Sequence, residues 1–129
     1  MADRVTIDLI TRDNASGEFV LYLLEDGPWP TGAPDWRPLL LRIQRRILAA
    51  VDVAVDGHLS EKYPDARKSD VRVEVDSPGG CPAQLEELIG AVRHFLENDP
   101  AYSEAIANSP HVGKLRLVMG KELGRFTPQ

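Results

Sequence analysis

One cysteine, Cys81, stands among 129 residues, so no disulfide can form within the chain. Stability has to come from burial, and a chain of this length hides roughly two thirds of its unfolded surface without covalent or metal help. A basic excess is missing as well. Fifteen Lys and Arg against twenty Asp and Glu give a net charge of −5, opposite in sign to a nucleic-acid footprint. Aromatic residues are few, at 6%, and none is interleaved with the basic residues. No apolar run reaches the length of a membrane span. Asp3 and Asp8 interrupt the first ten residues, which therefore do not read as a signal peptide. These absences lead us to expect a single domain over 1–129, cytoplasmic, with no membrane or nucleic-acid partner and no cofactor.

What is present is periodicity. In the stretch from Asp35 to Leu59, Trp36, Leu40, Ile43, Ile47, Val51 and Ala54 fall on one stripe at about 100° per residue. Leu41, Leu48 and Val55 flank that stripe. Asp35 is the expected N-cap, Pro38 falls in the expected first turn, and Gly57 is the expected stop. A second helix is expected from Pro82, with Leu85, Leu88, Ile89, Val92 and Leu96 on one face and Phe95 at its edge. Asn98 and Pro100 end it, and Tyr102 to Ala107 reads as further helical turns.

Four segments read as strands, three of them by alternation with period two. Val5, Ile7 and Leu9 form the first. The segment from Glu18 to Glu25 is apolar on both faces, which suits a central strand. Val71, Val73 and Val75 alternate with Arg72, Glu74 and Asp76. Leu115, Leu117 and Met119 make the last, and the tail 120–129 is expected to be loosely held. The order β-β-α-β-α-β predicts an α+β two-layer sandwich, a four-stranded mixed sheet with two main helices on one face. The second crossover should be right-handed and its strands parallel. The order of the strands within the sheet stays open.

Asp26 with Trp29, the run Leu40-Leu41-Arg42-Ile43-Gln44-Arg45-Arg46-Ile47, Gly57, and Tyr63-Pro64-Asp65-Ala66 together resemble a family of small bacterial proteins known only as a domain of unknown function. The resemblance covers roughly Val5 to Val75. It implies a hairpin, a loop bearing an aspartate and a tryptophan, and a leucine-rich helix. It implies no activity, cofactor or partner. The proline-rich loop from Pro28 to Pro34 and the chain beyond Asn98 depart from that pattern.

The chemistry-bearing residues are scattered. Cys81 lies at or next to the start of the second helix, where a helix N-terminus can favour a thiolate. No second cysteine makes a C-x-x-C pair, so a small capping residue paired with Gln84 is the simpler reading. Ser77-Pro78-Gly79-Gly80 lacks the lysine of a phosphate loop. Asp52, Asp56 and His58 do not have zinc-site spacing, and no metal site is expected. Arg42, Arg45 and Arg46 are placed on the outer face of the first helix, as a docking patch for an acidic partner. Trp29, between two prolines, is either an exposed anchor or a lid folded back over the end of the core.

No catalytic constellation emerges. The expected function is therefore a non-enzymatic interaction or self-associating domain, acting as a homodimer or on a cognate bacterial protein through Trp29, Arg42, Arg45 and Arg46. Two other readings stand beside it. One is a redox-responsive protein or enzyme centred on Cys81. The other is a small-ligand site between the Trp29 loop and the sheet.

Overall fold

The computed structural model describes residues 7–123 apart from Gly79. Strand β1 is Leu9–Arg12, β2 Phe19–Leu24, β3 Val71–Asp76 and β4 Leu115–Met119. Helix α1 spans Ala33–Val55, α2 His58–Lys62, α3 Ala83–Asn98 and α4 Pro100–Asn108. The strands lie in the order β1-β2-β3-β4. β1 pairs antiparallel with β2, while β2–β3 and β3–β4 are parallel. The fold is the expected α+β sandwich with a mixed four-stranded sheet.

This topology explains why the helices share one face. The β2-α1-β3 and β3-α3-β4 connections step across the sheet in the same direction. Crossovers of one hand then carry both helices to the same side. The register puts Phe19, Leu21, Leu23, Val71, Val73, Val75, Leu117 and Met119 on that side. They pack with Ile43, Ile47, Ala50, Val51 and Ala54 of α1 and with Leu85, Ile89, Val92 and Leu96 of α3 into one core.

The boundaries differ from the sequence expectation in three places. Helix α1 starts at Ala33, with Gly32 rather than Asp35 as its N-cap and a proline in its opening positions. Pro38 is consequently the sixth helical residue and lies beyond the first turn. The first strand is also displaced. Val5 lies outside the described residues, Asp8 forms a bend, and pairing begins at Leu9, opposite Tyr22. The Asp8 amide still donates to the Tyr22 carbonyl at 2.9 Å, and its Oδ2 accepts the Leu24 amide at 2.7 Å. Gly120–Leu123, at the start of the expected tail, forms a 3-10 turn. The remainder of that tail lies outside the described residues.

Gly57 ends α1 as expected. Its φ of 92° is in the left-handed region, and a Cβ there would sit 2.9 Å from the His111 ring, so both the turn and the close approach require glycine.

The sheet face away from the helices is unusual. Arg72, Glu74 and Asp76 sit there, yet Arg72 is 2% exposed and Glu74 is fully buried. Arg72 Nη1 donates to Asp13 Oδ2 at 3.0 Å and Glu18 Oε1 at 2.8 Å, and its Nε to Glu74 Oε1 at 3.1 Å. Arg116 clasps both Glu18 oxygens, at 2.7 and 2.8 Å. The Arg116 hydrogen bonds are the main reason that the Glu18 carboxyl drops to about 2. Charges leave water here only because they are paired in a network.

Candidate functional site

Helix α1 presents three sides. Its inner stripe enters the core. One flank turns to the end of β2, and the other turns to α3. Each flank places a different part of the expected site.

On the β2 flank, Arg46 donates to Glu25 Oε2 at 2.7 Å, to Asp8 Oδ2 at 2.7 Å and to the Leu24 carbonyl at 2.8 Å. Its side chain is only 13% exposed. Arg42 joins the same carboxylate through Glu25 Oε1 at 2.9 Å. The expectation that Arg42, Arg45 and Arg46 form one free outer patch is corrected here. Arg46 is a tie between helix and sheet, and Arg42 is half-committed to it. The cause is tertiary, because Glu25 is a buried carboxylate that needs compensating charge. Burial alone would raise the Asp8 carboxyl. The Leu24 amide and Arg46 outweigh it and hold Asp8 below its ordinary value. Arg42 and Arg45 both stay exposed, and of the three only Arg45 has no ion pair among the described residues.

Trp29 is a lid. Its ring stacks on Trp36, with centroids 5.9 Å apart and planes 11° from parallel, and it packs against the core. Gly27 allows this turn with a φ of 90°, and a Cβ there would meet the Trp29 amide at 3.1 Å.

Cys81 is half-buried just ahead of α3, whose N-cap is Pro82 without a side-chain cap. The expected pairing with Gln84 is therefore not formed. Cys81 Sγ lies 3.9 Å from the Pro82 carbonyl oxygen and 3.8 Å from Met119 Sδ, and neither neighbour favours a thiolate. Ser77 Oγ donates to the Gly80 carbonyl, which closes the turn before α3. The Tyr63-Pro64-Asp65-Ala66 string is a 3-10 turn closed by its backbone, with Arg67 donating to the Pro64 carbonyl at 3.2 Å. Among the described residues, no three of His, Cys, Asp and Glu converge as a metal site would require. No helix among them is long and apolar enough to cross a membrane.

The α3 flank holds a groove that the sequence reading did not assemble, although it marked Gln44 at the margin of the stripe as a residue for a loop hydrogen bond or a subunit contact. Gln44, Leu48, Ala91, Val92 and Phe95 line a groove of about 230 Å³ between α1 and α3. Leu41 is 42% exposed and Phe95 is 40% exposed. Phe95 leans on Tyr102 of α4, with centroids 5.4 Å apart. Burial first, and then the nearby Asp52 carboxylate, push the Tyr102 hydroxyl up from its ordinary value. The signal was present in the sequence: Leu41 and Leu48, a heptad apart, sit off the core stripe, as does Phe95 on its own helix. What the sequence lacks is the relative placement of α1 and α3.

No family model, curated protein or solved structure matches the chain.

Proposed function

We propose that this protein is a non-enzymatic interaction domain that works through the outer side of its helical layer. The observation that carries this reading is the groove between α1 and α3 with Leu41 and Phe95 exposed beside it. Pockets for whole small ligands run from roughly 300 to 1,000 Å³ and enclose what they hold. This one is smaller and open, and it suits a single apolar side chain from a protein partner. Exposed leucine and phenylalanine beside such a groove mark a recognition surface better than scattered apolar residues do. The reading keeps the interaction class expected from the sequence and moves the surface. Arg42 and Arg46 serve the fold, Trp29 covers the core, and the groove residues make the contact.

The experiment compares wild type with Phe95→Glu and Leu41→Glu, with far-UV circular dichroism as the folding control. Light scattering and affinity capture from the native lysate read the association. Wild type should associate, with itself or with a captured protein, and both variants should lose that association while remaining folded. Association that is unchanged in both folded variants would overturn the reading.

A further inference from the structure

The outer face of α1 carries four charges that have no ion pair among the described residues. At 100° per residue, Arg37, Leu41, Arg45, Leu48, Asp52 and Asp56 lie along one face, turned away from the core stripe. Reading toward the C-terminus, the charges are positive, positive, negative, negative, with Leu41 and Leu48 among them. Arg37, Arg45, Asp52 and Asp56 are all exposed, and none of them is in an ion pair among the described residues. Four other arginines behave differently. Arg42, Arg46, Arg72 and Arg116 are all committed to carboxylates of this chain.

Such an order is complementary to itself when reversed. We infer that the partner is a second copy of this chain, with the two α1 helices packed antiparallel about a twofold axis near Leu48. This rests on the interaction reading above and names its partner. With the axis at Leu48, each Arg45 comes within a turn of Asp52 of the second copy. Each Leu41 faces the Val55 region of the other helix, and the two Leu48 side chains meet beside the grooves. Both copies use the same patch, as a twofold interface requires. A parallel arrangement would bring like charges together and be disfavoured.

A second observation supports the register. Asp52 and Asp56 are one turn apart on the helix, so their charges repel. Burial first, and then Asp56, push the Asp52 carboxyl up from its ordinary value, and the Tyr102 hydroxyl relieves this only in part. An arginine arriving from outside would stabilise the pair.

The test uses charge reversal on the full chain. Light scattering and sedimentation across a concentration series should show a wild-type dimer that weakens as salt is added. Arg45→Glu and Asp52→Arg should each weaken dimerisation at least tenfold. Mixing these two variants should restore a dimer, because each then supplies the charge that the other needs. The double variant R45E/D52R should dimerise alone. Circular dichroism establishes that each variant is folded. A wild type that stays monomeric at millimolar concentration overturns this inference. So does a dimer that both single reversals leave unchanged, or one that mixing fails to restore. The broader interaction reading fails separately, when folded Phe95→Glu and Leu41→Glu keep every association.

Discussion

Glu18 shows how one residue can hold charges out of water. It stands at the head of β2 and receives Arg116 on both oxygens and Arg72 on one. Its carboxyl sits at about 2, against an ordinary 4.5. A depressed folded-state value adds stability above the ordinary value, and that stability is lost as pH falls toward the folded one. Urea midpoints of the wild type should therefore decline between about pH 4.5 and pH 2. Glu18→Gln should be less stable at pH 7 and show a shallower acid decline. Equal acid slopes in the two proteins would refute the assignment. Asp8 and Asp13 are also lowered, so some decline should persist in the variant. The pattern around Arg72 was half legible. Strict alternation of valine with Arg72, Glu74 and Asp76 announced a strand with one charged face, which the usual rule leaves in water. Opposite charges two residues apart on a strand share a face, and that was the available sign of a pair. The partners Asp13 and Glu18 come from 59 and 54 residues away, a distance no local pattern spans.

At the scale of the element, α1 displays the difference between what periodicity can and cannot tell. Ile47 is fully buried on the core stripe, whereas Leu41 is 42% exposed on the outer face. Ile47→Ala should lower the unfolding free energy by about 2–5 kcal/mol, through lost burial and an unfilled cavity. At concentrations too low for the chain to associate, Leu41→Ala should change it by no more than about 0.5 kcal/mol. Urea denaturation of the two variants checks both values. A large cost at Leu41 would mean that its face is packed within the monomer. The inner stripe was readable because 3.6-residue periodicity is a local property. The role of Arg46 was not, since it depends on Glu25 and Asp8, 21 and 38 residues earlier. The same holds for the groove. Leu48 and Phe95 could each be placed on a helix edge, but only the packing of α1 against α3 makes those edges neighbours.

For the whole molecule, the strand order sets the hierarchy of stability. β2 and β3 are central and paired on both sides, while β1 is a four-residue edge. Amide exchange should be slowest in Phe19–Leu24 and Val71–Asp76 and faster in Leu9–Arg12. Exchange mass spectrometry would show this directly, and a β1 as protected as β3 would contradict it. The fold class was legible because three alternating runs, one doubly apolar run and two amphipathic helices admit few layered arrangements. The sequential strand order was not, because sequence does not fix the direction of each crossover step.

The chain has two tryptophans, and they are the stacked pair Trp29 and Trp36. All indole emission therefore arises at one spot, where the Gly27–Gly32 loop meets the start of α1. Neither tryptophan is among the residues that line the Leu48–Phe95 groove. Fluorescence will report release of the loop, while circular dichroism follows melting of the helices. If the two signals separate on heating, the loop has come away before the body of the protein, with no label introduced to detect it.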